Sequence, residues 1–394
     1  MKISHVRLWQ LTGTISPAED QWEERLIRPI DIYPEHRAEG TAWMPIPVDR
    51  RLTTIFVELE TDDGATGLGG PISLDQAFLI DQQLRPLIEG ADALAHERLW
   101  DRMYRDQVHG RGGVAMMAIS AVDCAMWDLK GRVTNLPVHR LLGGPTRAAI
   151  PAYASALGYS LDLALVGQRA REMVADGYRA TKWFFRHGPS DGRSGMARNE
   201  ELVATLREAV GPDVDIMMDA WMSWDVPYTL AMARRLERYR LRWIEEPVLP
   251  DKIESYAAIR RASTIPIAGG EHEYTRWGIH RLVAAGGVDV IQADIYWAGG
   301  ITEMLKICAI ASVYDLPVIP HGHSTAASIH LIAAQPEPLT PMAEYLIKWN
   351  DVHQFFLKRP IRPVGGMIQV PDGPGLGMEL DNEKIQERRE LTWN

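Results

Sequence analysis

Six short apolar stretches in this chain each end on an ionisable residue: Asp219 (VDIMMD), Glu245 (RWIE), Glu271 (AGGE), Asp294 (IQAD), His321 (VIPH) and Glu344 (MAE). The endings recur at intervals of 26, 26, 23, 27 and 23 residues. Helix-like segments such as YTLAMARRLERY fill most of the gaps. Two further strand candidates, PAYAS and RATKWFF, precede the series and bring the number to eight. Strands that alternate with helices make parallel βαβ units, and eight over about 200 residues point to a closed barrel rather than an open sheet. No clear helix follows the eighth strand. The expected fold is therefore α/β, a TIM-type (β/α)7β barrel.

The chain before the barrel reads differently. LTTIFVELE alternates like a half-buried strand, TDDGATGLGG follows as a glycine-rich turn, and VAMMAISAVDCAMWDLKGR suits a tightly packed helix pair. LLGGPTR closes this part. The expected division is an α+β capping domain at 1–145, the catalytic barrel at 146–350, and a Pro- and Gly-rich segment, 351–394, returning to the capping domain. A formal net charge of −10 gives no general attraction to nucleic acid or anionic membrane. MKISHVRLWQ lacks the apolar core of a secretory signal, and no stretch approaches the roughly 20 apolar residues of a membrane span. Cys124 and Cys308 lie in apolar helix-like runs and read as core thiols, which suits a reducing cytoplasm.

Barrels of this kind hold their active sites at the C-terminal ends of the strands. Asp219, Glu245 and Glu271 would converge there, and three carboxylates repel one another unless a cation sits among them. All are hard oxygen donors, which favours Mg²⁺ over zinc. Side chains alternate along a strand, so Glu245 faces the mouth while Glu246 points away, toward a nearby Lys or Arg. His321 and Asp294 fall on neighbouring strands, and an Asp beside a His gives an oriented, more basic imidazole. His323 and His272 lack the support of the series and are read as lying behind the site.

Jointly, AISAVDCAMWDLKGR, LLGG, DAW, WIEEP, GGEHE, QADIYWAGG and IPHGHS resemble the enolase superfamily in its mandelate racemase-like branch, over nearly the whole chain. The resemblance implies that Asp219, Glu245 and Glu271 hold Mg²⁺ and that His321 and Asp294 form an acid–base dyad. It also implies that Glu344 and Lys182 contact the substrate carboxylate or its enediolate. Racemases of this branch carry Lys-x-Lys on the second strand. Here Lys182 fits the first lysine and Phe184 stands at the second, and a phenyl ring moves no proton. TKWFFRHGPSDG, WMSWDV and AEYL look closer to the acid-sugar dehydratases related to L-rhamnonate dehydratase.

The expected activity is a lyase reaction: loss of the C2 proton of an acid sugar, expulsion of the 3-hydroxyl, and tautomerisation to a 2-keto-3-deoxy acid. An epimerase of the same superfamily and a non-catalytic relative are the alternatives. Substrate contacts are expected from the loop RLIRPIDIYPEHRAEGTAWMP and its surroundings, through His36, Arg37, Trp43 and Arg51, and from Arg186, His187 and His323. The partner is a small-molecule acid sugar. A homo-oligomer, often an octamer, is common in the family.

Overall fold

The computed structural model describes residues 1–16, 22–37 and 50–393. Its strands run in chain order as β1 (Ile3–Thr14), β2 (Arg51–Thr61), β3 (Thr66–Ile72), β4 (Ala149–Ser155), β5 (Ala180–Phe184) and β6 (Asp215–Asp219). They continue as β7 (Trp243–Glu245), β8 (Ile267–Gly269), β9 (Val290–Ile291), β10 (Ala343–Leu346), β11 (Met367–Gln369) and β12 (Glu387–Glu390). Two sheets result. One is antiparallel, in the order β12-β1-β2-β3; the other is parallel, in the order β10-β4-β5-β6-β7-β8-β9, with β11 added antiparallel to β4.

In the antiparallel sheet LTTIFVELE forms β2 as its alternation suggests, paired with β1 along its whole length. The expected turn TDDGATGLGG is only partly a turn. Gly64 N bonds Thr61 O and Thr61 N bonds Ala65 O, after which Thr66–Ile72 is a strand. The reason is steric. The helix Val114–Thr134 lies directly on β3, and a Cβ on Gly67 would stand 2.3 Å from the Ala125 carbonyl oxygen; on Gly69, 2.5 Å from that of Ala121. The helix itself is a single element of 21 residues rather than a pair, buried along almost its whole length. It ties the two sheets together: Trp127 Nε1 donates to Thr302 Oγ1 at 2.9 Å, and Thr302 N donates to Asp123 Oδ2 at 2.9 Å. Both cysteines are free and buried.

All eight expected barrel segments take part in the parallel sheet, but the seventh, LPVIPH, only through the bridge Ile291↔Val318. Pro317 and Pro320 flank it, and neither has an N–H to give to a ladder. Val318 N donates to Leu339 O and Ile319 N to Ile291 O, but no ladder joins this segment to β10 among the described residues. The hydrogen-bonded ring expected for a closed barrel is therefore open at that point. A short helix, Ile347–His353, does follow the eighth strand. No helix among the described residues is long and apolar enough to cross a membrane.

The interior of the parallel sheet explains where the chemistry lies. One side chain from each segment packs into a separate apolar cluster: Tyr153, Ala180, Met217, Trp243, Ala268, Val290 and Ile319, with Met342 against it. Alternation puts the residue two positions further along each strand on the same side. Those residues are Ser155, Lys182, Asp219, Glu245, Gly270, Gln292, His321 and Glu344. An apolar floor thus carries a polar layer.

Candidate active site

Lys182 stands at the centre of the polar layer, only 1% exposed. Its ammonium lies 2.8 Å from Glu344 Oε1 and 3.3 Å from Asp219 Oδ2, and it bonds Glu245 Oε1. Three buried carboxylates around one ammonium leave an excess of negative charge in a place water hardly reaches. Burial and the neighbouring Glu245 push Asp219 well above the usual carboxylate range. Burial likewise raises Glu271 to about 7, with Glu246 adding to the rise and His321 opposing it. Glu344 behaves differently: burial would raise it, but Lys182 and His321 outweigh that and hold it down. Lys182 is pushed up in turn, its carboxylate neighbours overcoming desolvation.

Asp294 ends the sixth segment as the N-cap of the short helix Ile295–Ala298, where its Oδ1 accepts from Tyr296 N at 2.7 Å. Its Oδ2 lies 2.9 Å from His321 Nδ1. The carboxylate thereby fixes the ring, and His321 Nε2 is left 3.9 Å from Glu271 Oε2. Desolvation alone would lower this imidazole, yet Glu271, the bond to Asp294 and the charge of Glu344 raise it to about 10. Glu271 does not arrive by strand alternation. It follows Gly270, whose φ of 107° turns the chain inward.

Glu246 departs from expectation. The strand stops at Glu245, and Glu246 takes φ 37°, so alternation no longer governs its direction. Its partner is neither Lys nor Arg: Oε2 lies 2.8 Å from His272 Nδ1, and Oε1 is buried with no hydrogen-bond partner among the described residues. Glu246, Glu271 and His272 form the tight cluster of metal-ligating atoms among the described residues, within 4.8 Å of one another. Asp219, Glu245 and Glu271 are not such a cluster, and the Lys182 ammonium lies against the first two. The all-oxygen trio is nevertheless the better match for a hard divalent ion, which takes oxygen ligands and has little use for an imidazole. The Lys182 ammonium marks a position where positive charge is already held by Asp219 and Glu245.

A cavity of about 180 Å³ opens over the polar layer. Lys182, Asp219, Glu271 and His321 line it together with Phe184, Trp221, Trp297 and Trp349, the Lys182 ammonium lying 5.3 Å over the Phe184 ring and Trp297 packing on His321. His323 lines it too, as a ring packed against Trp297, Trp349 and His353 that burial pushes down to about 4, hence neutral. Arg186 and His187 are placed elsewhere, in a separate polar cleft of about 780 Å³ with Glu24, Arg37 and Asp191. His36 is exposed on a turn at Pro34–His36, and Arg51 pairs with Glu387 at 2.8 Å on the antiparallel sheet. The structure brings neither to the cavity. Trp43 lies outside the described residues. The loop instead contributes Leu26, held by Ile27 N donating to Phe185 O at 2.9 Å. Trp221 and Trp297 went unread as site residues although they sit two and three positions after strand-end carboxylates. Nothing in the local sequence distinguishes Leu26 or Trp349.

Residues 40–143 match the mandelate racemase / muconate lactonizing enzyme N-terminal domain, and residues 165–384 the enolase C-terminal domain-like family. The chain is 36% identical over 402 residues to an L-rhamnonate dehydratase of Saccharopolyspora erythraea, covering 99% of each. Among solved structures it resembles the rhamnonate dehydratase from Gibberella zeae complexed with Mg, with a TM-score of 0.86 and 32% identity over 97% of this chain and 95% of that one. It also resembles a racemase from Streptomyces coelicolor A3(2) with bound magnesium, with a TM-score of 0.80 and 31% identity over 97% and 98% of the two chains.

Proposed function

The chain belongs to the mandelate racemase/muconate lactonizing enzyme family of the enolase superfamily, and from that premise we propose that it is a Mg²⁺-dependent acid-sugar dehydratase with a substrate like L-rhamnonate. It is an enzyme of the hydro-lyase class. The observation that carries the finer reading is one cavity lined by Lys182, by Phe184 and by His321, whose ring Asp294 holds. Asp219, Glu245 and Glu271 are the residues we assign to the cation. When bound there, it supplies positive charge that polarises the substrate carboxylate and offsets the charge left as C2 loses its proton.

The remaining chemistry falls to this chain's side chains. Lys182 holds a substrate carboxylate oxygen, and Glu344, fixed by Gly322 N at 2.9 Å, accepts a hydrogen bond from the 2-hydroxyl of the enediolate. His321 Nε2 removes the C2 proton while Asp294 steadies the resulting imidazolium. That requires a neutral ring. Glu271, the largest source of its raised pKa, is one of the proposed ligands, and a cation held by Glu271 would bring His321 down. The imidazolium then returns the proton to the departing 3-hydroxyl. One residue doing both requires proton and hydroxyl to leave from the same face. The enol tautomerises to the 2-keto-3-deoxy acid. Arg186 and His187, the candidates for a second face, line the other cleft, which disfavours an epimerase.

The interior cluster of seven side chains, with Met342 against it, supports reading 146–350 as a (β/α)7β barrel; 1–145, joined by β12 of the 351–394 segment, is read as its capping domain, while β11 of that segment pairs with β4 of the barrel. The buried free thiols suit cytoplasmic work. Incubating purified protein and Mg²⁺ with a panel of aldonic acids, and reading 2-keto acid formation, tests the activity. Turnover of at least one acid is expected; no turnover across the panel would overturn the reading.

A further inference from the structure

The two carboxylate oxygens of Glu245 have different surroundings. Oε1 bonds the Lys182 ammonium. Oε2 accepts Trp243 Nε1–H at 2.9 Å and Gln292 Nε2–H at 2.7 Å. Glu245, Trp243 and Gln292 are all wholly buried. We propose that Gln292, assisted by Trp243, is a positioning residue that locks the Glu245 carboxylate with Oε1 toward the divalent cation and so sets the affinity for it; this rests on Glu245 being a ligand, as assigned above.

Three observations support the assignment. Both donors are neutral. A lysine or arginine at the same place would fix the carboxylate but also cancel its charge, whereas an amide and an indole N–H fix direction and leave the charge for the cation. Without them, Glu245 could turn both oxygens onto Lys182, in an ion pair that competes with metal. The root of Gln292 is also fixed, because its backbone N donates to Gly269 O at 2.9 Å and its carbonyl accepts from His321 N at 3.2 Å. Finally, Gln292 Oε1 is buried with no hydrogen-bond partner among the described residues. An unsatisfied buried acceptor costs stability. A leucine would fill the same space without that cost, so packing does not explain the amide; what its Nε2 holds does. Groups that orient a metal ligand in this way typically change affinity by roughly ten- to a hundredfold when removed.

The test is a calorimetric titration of Mg²⁺ into substrate-free wild type, Gln292→Leu and Trp243→Phe, with thermal melting of each in EDTA. Expected are binding by the wild type and roughly ten- to hundredfold weaker binding by Gln292→Leu. Its melting temperature in EDTA should stay within about 10 °C of the wild type, since losing the hydrogen bond to Glu245 and removing the unpaired Oε1 act in opposite directions, and Trp243→Phe should shift affinity in the same direction. Wild-type affinity in Gln292→Leu would overturn the positioning role and leave the ligand assignment standing. A fall of more than about 10 °C in the melting temperature of Gln292→Leu in EDTA, beyond what one lost hydrogen bond explains, would also overturn it, by showing a general structural role. Failure of the wild type to bind Mg²⁺ would overturn the ligand assignment itself, and the positioning role with it.

Discussion

Glu245 and Glu246 are adjacent, yet the first lies in line with Trp243 inside the sheet and the second leaves through a left-handed backbone turn. Period-two alternation was legible for Glu245 because a strand imposes it. It was not legible for Glu246, since nothing in a glutamate announces a positive φ. Asp219→Asn, Glu245→Gln and Glu271→Gln should each weaken Mg²⁺ binding by about tenfold or more, from the loss of one charged oxygen ligand in a buried site. Glu246→Gln should stay within about threefold, because its oxygen is engaged with His272. Calorimetric titration of the four variants measures this. Retention of metal by Glu245→Gln and its loss by Glu246→Gln would move the site to the Glu246–Glu271–His272 cluster.

At the scale of elements, the βα relay was readable because its strands share one interior. GLGG was not, because glycine serves both tight turns and close packing, and composition does not say which. Here packing decides: Gly67 and Gly69 admit the helix Val114–Thr134. Gly67→Val would drive its side chain into helix backbone and should destabilise the protein by about 3 kcal/mol or more. Gly64→Ala, in the open turn with φ 85° and nothing within 4 Å, should cost only about 1 kcal/mol. Urea denaturation compares them; equal losses would mean the helix does not rest on β3 as described. The seventh segment teaches the converse. Pro317 and Pro320 were visible in the sequence, and their missing N–H groups explain why LPVIPH joins by a bridge alone.

For the whole molecule, residues at strand ends were legible because the fold fixes them, whereas the cavity wall drawn from loops was not. Leu26 and Trp349 reach the cavity through tertiary placement, and Arg51 lies at the start of β2, where it pairs with Glu387. Stability should respond to acid through His330, which stacks on His139 with Nδ1 atoms 3.2 Å apart. Burial pushes His330 down to about 3. Its pKa is near 6.5 in the unfolded chain, so between these values only the unfolded state takes up the proton. Stability is then complete above about pH 6.5 and falls as pH drops toward 3, by about 2 kcal/mol between pH 7 and 5 for this residue. His330→Asn should flatten that slope in urea titrations at the two pH values, and an unchanged slope would remove His330 as its source. The reaction itself is tested most directly by running it with Mg²⁺ in D₂O on an acid sugar that the protein consumes, and analysing product and recovered substrate by NMR. With His321 as the proposed base on one face and Phe184, rather than a lysine, as the proposed counterpart on the other, the expected result is a 2-keto-3-deoxy acid with no C2 epimer in the recovered substrate. Steady accumulation of C2-deuterated epimer would contradict it, and would make the protein an epimerase.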